Sequence, residues 1–116
     1  MLPKKYRLTK RKDFENVFTN GKFFYNQYVT VKYLKNELDL PRLAFVVSNK
    51  ISKKAVERNK IKRRLRAIFY SGLKEVRPGF DYVVIVKATI KEIKFAEMRN
   101  DLTSLFKAKG FGWLGN

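Results

Sequence analysis

RLAFVV (residues 42–47), AVERNKIKRRLRAIFYS (55–71) and FDYVVIVK (80–87) are the three segments that set the architecture of this chain. The first and last are short, apolar and rich in β-branched and aromatic residues, which predicts buried strands. The middle segment has apolar residues at helical spacing: Ile61, Leu65, Ile68 and Phe69. Gly72 follows the segment as a natural helix C-cap. A strand, a helix and a strand in this order predict a βαβ crossover.

Three further elements precede this unit. A short helix is expected from Thr9, as its N-cap, to about Thr19, and Asn20-Gly21 would close it. Alternating residues at 28–34 (YVTVKYL) predict a strand, and 23–25 add a short strand before it. We expect strands 28–34 and 42–47 to pair as an antiparallel hairpin, because the loop between them has an ordinary length.

The last element is expected to be a helix from about residue 90 to about residue 109, with 89–92 as a capping box. Its apolar stripe consists of Phe95, Met98, Leu102, Leu105 and Phe106. Residues 1–8 and 110–116 are expected to be flexible ends. The element order αβββαβα predicts an α+β fold, an α/β sandwich in which a small mixed sheet of about four strands packs with three helices. We expect one domain over residues 1–116.

The composition combines a foldable core with a large positive charge. Hydrophobic residues make up 45% of the chain, yet 27 Lys and Arg stand against 10 Asp and Glu, for a net charge of +17. Such a domain attracts polyanions, so nucleic acid is the first candidate partner and an anionic membrane surface the second. The chain has no Cys and no His, and no apolar run long enough for a signal peptide or a membrane span. We expect a cytoplasmic protein.

One face of the central helix is almost entirely cationic. More than half of residues 53–66 are Lys or Arg, and Glu57 is the one acid between Lys50 and Glu75. Asn59, Arg63 and Arg66 recur at helical spacing on the side away from the apolar stripe. An ordinary solvated face mixes charges of both signs. This one therefore predicts binding to the phosphates of RNA, which suit forked Arg and point-charge Lys donors.

The string AVERNKIKRRLR (55–66) resembles the signature helix of the bacterial ribonuclease P protein family, whose pattern is R-N-x-x-K-R-x-x-R. The preceding SNK (48–50) resembles the family's loop after a buried strand. The order of elements extends the resemblance over nearly the whole chain. Two positions depart from the pattern: Asn49 stands where many members have Lys, and Ala67 where Glu or Gln is common.

The resemblance implies the family fold, with a left-handed βαβ crossover, and a function. The chain would be the protein subunit of ribonuclease P, the ribonucleoprotein endonuclease that removes the 5′ leader of precursor tRNA. The RNA subunit would perform the hydrolysis with Mg²⁺, while the protein alone would be inactive and bind no metal, other cofactor or small-molecule substrate. The residues implied to contact the RNA subunit are Lys50, Lys53, Lys54, Arg58, Asn59, Lys62, Arg63 and Arg66.

The resemblance also implies a cleft between the first helix and the sheet that holds the single-stranded leader. Its candidate residues are Phe14, Phe18, Tyr28 and Lys32. Two questions stay open: whether Phe14 and Phe18 are core or surface residues, and which tyrosine of strand 28–34 faces the cleft. Aromatic residues at i and i+4 are more often core residues than a stacking surface, and a slip of one residue in strand 28–34 would replace Tyr28 by Tyr33. The basic residues between Lys4 and Lys12 are further candidates for RNA contact.

Two other classes of function compete with this one. A structural RNA-binding protein of ribosomal type would be equally basic, and the signature helix is what separates it from ribonuclease P proteins. A cationic membrane-surface protein would need an exposed helix with bulky apolar residues, whereas the apolar face of helix 55–71 is needed for the core. Intrinsic nuclease chemistry is disfavoured, because the chain has no His and its acids form no cluster in the sequence.

Overall fold

The chain folds into three α-helices and four β-strands in a computed structural model that describes residues 2–112. Within that range the elements are α1 (Arg11–Asn20), β1 (Lys22–Tyr25), β2 (Val29–Lys35), β3 (Arg42–Val46), α2 (Ala55–Ser71), β4 (Phe80–Val86) and α3 (Phe95–Ala108). Short 3₁₀ turns occupy Lys4–Tyr6, Leu73–Glu75 and Ala88–Glu92. The predicted order αβββαβα and the α+β class are confirmed.

The four strands form one mixed sheet in the order β1-β2-β4-β3. β2 pairs antiparallel with β1 and β4, and β3 pairs parallel with β4. The segment β3–α2–β4 is therefore a βαβ unit, as predicted. The predicted hairpin between 28–34 and 42–47 is wrong, because β4 lies between these two strands. β4 is apolar on both faces, with Tyr82, Val83 and Val84 fully buried, and such a strand is most stable at the centre of a sheet.

Helices cover both faces of the sheet. On one face, α2 and α3 form the main core with alternate strand residues, including Val29, Val31 and Val84. On the other face α1 packs over β2 and β4, where Leu8, Val17 and Val83 form a smaller cluster. Val29 and Val31 alternate with Thr30 and Lys32 along β2, so both lie on the core side of the strand and are fully buried. The second face is only partly covered, since α1 is a single short helix.

Both ends of the described chain pack against the sheet. Leu2 and Leu8 are buried, and the Leu8 amide donates to the Leu43 carbonyl, so the lead-in covers the outer edge of β3. At the other end Phe111 is buried and its carbonyl accepts from the Arg77 amide. This differs from the expectation of flexible ends for residues 2–8 and 110–112. Residues 1 and 113–116 lie outside the described part of the chain.

Two helix starts differ from the prediction. α1 begins at Arg11 after Lys10, without a side-chain cap, rather than after Thr9. α3 begins at Phe95, because residues 88–92 form a separate 3₁₀ turn. Thr89 is not part of a capping box: its hydroxyl donates to the Gln27 carbonyl at 2.5 Å. Of the predicted stripe, Met98, Leu102, Leu105 and Phe106 are buried, whereas Phe95 is exposed.

Candidate nucleic-acid interface

The outward face of α2 is mainly basic, although Val56 and Tyr70 are also exposed on this helix. Its inward face buries Ile61, Leu65, Ile68 and Phe69, as the helical spacing predicted. The remaining positions carry the predicted RNA-subunit residues. Asn59, Arg63 and Arg66 are exposed, together with Lys50, Lys53 and Lys54 before the helix, while Arg58 and Lys62 are half-buried. We call these eight residues the basic face; the structure brings all of them to α2 and the loop that enters it.

Hydrogen bonds hold the entry loop of the basic face against the helix. The Ser52 hydroxyl donates to a Glu57 carboxylate oxygen at 2.5 Å, and the Arg58 guanidinium donates to the Ser52 carbonyl at 2.9 Å. The bond from Ser52, helped by nearby lysines, lowers the pKa of Glu57, so this one acid stays ionised and engaged. Ile51 is buried beneath the loop. The loop lysines are thereby fixed beside the first turn of α2.

The partly open face of the sheet forms a cleft beside α1. Phe14 is half-buried and packs with the cluster under α1, and its ring centroid lies 4.8 Å from that of Phe18. Phe18 is 37% exposed, and the Lys32 ammonium lies 4.4 Å from the centroid of its ring. Phe14 therefore serves the core, whereas Phe18 presents an exposed aromatic ring under a cation.

Tyr28 does not share this cleft. It precedes β2 in a turn where the Asn26 side-chain oxygen accepts from the amides of Tyr28 and Val29. Its ring packs against the main core on the opposite face of the sheet. The alternative residue, Tyr33, lies on that opposite face too, in contact with Phe24 and Phe111. The placement of Tyr28 in the cleft is wrong because the turn takes it out of the strand alternation.

Two exposed aromatic residues lie beside the cleft and were missed from the sequence. Phe23 and Tyr25 flank the buried Phe24 on β1, and their side chains are 61% and 62% exposed. Phe23 lies directly opposite Lys32 in the β1–β2 register. The signal in the sequence was the alternation of KFFY, which places residues 23 and 25 on one face of the strand and 24 on the other.

Gly21 brings the end of α1 close to β2. A Cβ at this position would lie 2.4 Å from the Val17 carbonyl oxygen and 2.7 Å from the Tyr33 carbonyl oxygen. Its backbone is otherwise extended, so the requirement for glycine is one of space. Because only glycine fits, the helix closes directly onto the strand and holds Phe18 over Lys32.

A charged network holds the start of α1. The Arg42 guanidinium donates twice to the Asp81 carboxylate, at 2.8 and 2.7 Å, and once to Asp13 of α1 at 3.3 Å. Asn36 donates to the same Asp81 carboxylate at 2.8 Å. The hydrogen bond to Asp81 raises the pKa of Arg42, against the opposing effect of burial. Within the described residues this is the network that links a helix to two strands through ionised side chains.

Neither a membrane span nor a metal cluster is visible in the part of the chain that the structure describes. No helix there is both long and apolar enough to cross a bilayer. Residues 2–112 contain no group of three or more Asp and Glu side chains placed to hold a metal ion. Asp13 and Asp81 pair with Arg42, Glu57 accepts from Ser52, and Asp101 accepts from the Asn26 side chain.

Sequence and structure comparisons agree on the relatives of this chain. Residues 2–110 match the family described as Ribonuclease P. The chain is 38% identical over 111 residues to the ribonuclease P protein component of Pseudanabaena, covering 94% of this chain and 96% of that protein. It is 40% identical over 105 residues to the Thermotoga maritima component, covering 87% and 89%.

Two solved structures show the same fold. The ribonuclease P protein of Thermotoga maritima superposes with a TM-score of 0.80 at 38% identity, covering 88% of this chain and 96% of that one. The Staphylococcus aureus protein gives a TM-score of 0.84 at 30% identity, with 92% and 97% covered.

The α+β sandwich, with a basic helix on one side and an aromatic cleft on the other, defines an RNA-binding domain. The comparisons show that the chain belongs to the ribonuclease P protein family. The function predicted from the sequence, that of a ribonuclease P subunit in the maturation of tRNA 5′ ends, is confirmed at this level.

Proposed function

We propose that this protein binds the catalytic RNA of ribonuclease P through the basic face and the 5′ leader of precursor tRNA through the cleft beside α1. The observation that carries the proposal is the pairing of exposed Phe18 with the Lys32 ammonium at 4.4 Å. An aromatic surface with a cation beside it suits a single-stranded nucleic acid, which offers bases for stacking and phosphates for charge pairing.

The basic face supplies the larger part of the affinity for RNA. Arg63 and Arg66 are exposed on consecutive turns of α2, and the preceding loop adds Lys50, Lys53 and Lys54. Neutralising phosphates releases counterions, so this part of the binding depends steeply on salt. The neutralisation of phosphates also lowers the repulsion between RNA strands, which reduces the concentration of divalent cations that the RNA needs.

The cleft supplies selectivity for precursor over product. A base stacked on Phe18 gains contact area without a sequence-specific hydrogen bond, because every base has a π-face. Mature tRNA has lost its leader and gains nothing there. Binding at the cleft therefore favours substrate and releases product, whichever leader sequence is present.

Hydrolysis itself is assigned to the RNA subunit and its Mg²⁺. The protein has no His for general acid–base catalysis, and in residues 2–112 its acids form no metal-binding cluster. The protein binds the RNA subunit, positions the leader and neutralises phosphate charge, without a metal or small-molecule cofactor of its own. A cytoplasmic location, where precursor tRNA is made, completes the proposal.

The test is cleavage of precursor tRNA at low Mg²⁺ by three samples. These are a bacterial ribonuclease P RNA with the protein, the same RNA without it, and the protein alone. We expect stimulation in the complete mixture and no cleavage by the protein alone. Failure to stimulate an RNA that is active at high Mg²⁺ would favour a structural RNA-binding role. Cleavage by the protein alone would overturn the assignment of the chemistry to RNA.

A further inference from the structure

The outer strand of the sheet carries a second exposed aromatic pair. Phe23 and Tyr25 stack on each other with ring centroids 6.3 Å apart and an interplanar angle of 28°. Each side chain is more than half exposed, although β1 also contributes buried Phe24 to the core. Single exposed aromatic residues are common on protein surfaces, but an ordered pair with both rings accessible forms a contiguous apolar patch that indicates binding.

This pair continues the surface that begins at Phe18. Lys32 lies between the two, since its ammonium stands over the Phe18 ring and its backbone is opposite Phe23 in the β1–β2 register. Side chains directly opposite on antiparallel strands are neighbours, with Cβ atoms about 5 Å apart. Phe18, Lys32, Phe23 and Tyr25 therefore form one strip that crosses from α1 over β2 to β1.

A second cation stands at the far end of the strip. The Lys87 ammonium lies 5.0 Å from the centroid of the Tyr25 ring, and it is fixed there by donating to the Asn26 carbonyl at 2.6 Å. The strip thus repeats one arrangement twice, an exposed ring with an ammonium beside it. Alternation of rings and cations is the pattern that binds successive nucleotides of a single strand.

We propose that Phe23 and Tyr25, with Lys87, form a second stacking site for single-stranded RNA, which binds further nucleotides of the 5′ leader. This inference rests on the proposed function of the cleft and extends it. The ligand is a nucleotide segment, because the rings alternate with cations and the chain carries a net charge of +17. A second copy of this chain is disfavoured as the occupant, since two such charges repel each other.

The experiment measures binding of precursor tRNA with a leader of about eight nucleotides, and of mature tRNA, to the reconstituted complex of RNA subunit and protein. The variants are Phe23→Leu/Tyr25→Leu, Phe18→Leu and the triple replacement. Leu retains apolar contact but removes the π-face. Phe95→Leu is the matched control, because Phe95 is an exposed aromatic on α3. A Phe23→Thr/Tyr25→Thr variant repeats the test with residues that favour strands.

We expect the double variant to bind leader-bearing precursor roughly tenfold more weakly and mature tRNA unchanged, in line with the usual effect of one stacked base. The triple variant should bind precursor more weakly than either the double variant or Phe18→Leu, because the two stacking sites contact different bases. The Phe95→Leu control should bind both RNAs like the wild-type protein.

Three results would overturn this inference while leaving the cleft itself testable. An unchanged double variant beside a weakened Phe18→Leu variant would confine the leader to α1. A triple variant no weaker than Phe18→Leu would show that Phe23 and Tyr25 only support Phe18. Self-association of the free protein that the double variant abolishes, with precursor binding intact, would assign the pair to a protein interface. An unchanged Phe18→Leu variant would instead contradict the proposed function.

Discussion

Arg63 offers the most direct test of the basic face at the scale of a single residue. It is exposed on α2, and among residues 2–112 the side-chain hydrogen bonds that hold the entry loop come from Ser52 and Arg58 rather than from Arg63. We expect Arg63→Ala to weaken binding to the RNA subunit by about 1.5–3 kcal/mol, the usual worth of a hydrogen bond between charged groups.

The measurement is a salt series of binding affinities for wild-type protein and variant. Loss of one phosphate contact lowers the slope of log affinity against log salt by about one. Lys109→Ala, an exposed cation after α3, is the control and should leave the affinity nearly unchanged. Equal losses for Arg63→Ala and Lys109→Ala would mean that RNA senses only the net charge.

Phe18 tests selectivity for the leader at the same scale. Phe18→Ala removes the exposed ring under Lys32, while half-buried Phe14 keeps its contacts in the core. We expect binding of leader-bearing precursor to weaken by about 1–3 kcal/mol, the range found for one stacked base. Mature tRNA should bind as before. Equal losses for precursor and mature tRNA in direct binding measurements would defeat the idea that Phe18 recognises the leader.

At the scale of elements, Gly21 decides how α1 meets β2. A methyl group at this position would collide with two backbone carbonyl oxygens, from Val17 and Tyr33, and neither can move without shifting its element. We expect Gly21→Ala to lower the free energy of unfolding by about 1–3 kcal/mol, the usual effect of overpacking. Urea denaturation measures this. Asn20→Ala, next to it and exposed, should change stability by less than about 0.5 kcal/mol.

The ion-pair network tests the attachment of α1 to the sheet. Arg42→Gln leaves the buried Asp81 carboxylate without its forked partner, and breaking a buried pair in this way costs about 3 kcal/mol. Asp13→Asn removes only the longer, more exposed contact, which is worth less than about 1 kcal/mol. Urea denaturation should rank the two variants in this order. Similar losses would show that the Asp13 contact matters as much as the Asp81 pair.

At the scale of the whole molecule, the buried centre of the sheet predicts that folding stability falls at alkaline pH. Tyr82 is fully buried in β4, and its hydroxyl donates to the Arg77 carbonyl at 2.8 Å. Burial raises the pKa of Tyr82 above its ordinary value, with Arg77 acting in the opposite direction. Above a pH of about 10 the unfolded chain loses this proton while the folded chain keeps it, so stability falls as pH rises.

Each such group contributes a slope of up to about 1.4 kcal/mol per pH unit. Tyr82→Phe removes the proton and should flatten the decline in stability above pH 10, at a loss of about 1 kcal/mol near neutrality for the missing hydrogen bond. Comparing thermal or urea unfolding of the two proteins across this range isolates the effect from the lysines, which both share. Identical slopes would mean that Tyr82 ionises with little penalty in the folded state.

The core-facing and cationic sides of α2 were predictable from the sequence, because an α-helix repeats every 3.6 residues whatever it packs against. The same holds for the inward residues of β2, where alternation separates Val29 and Val31 from Lys32. These periodicities depend on local backbone geometry alone. They sufficed for the class of fold and for the cationic side of α2, whereas the family was indicated by the resemblance of the string at residues 55–66 to a known signature.

The partners of each element were decided by the tertiary structure. Chain order suggested that β2 and β3 pair, but β4 separates them, because the strand that is apolar on both faces is buried most completely in the middle. The turn at Asn26 removes Tyr28 from the cleft, and the register of β1 brings Phe23 opposite Lys32 instead. Contacts between residues distant in the chain depend on the total burial of the folded molecule, which a local pattern does not specify.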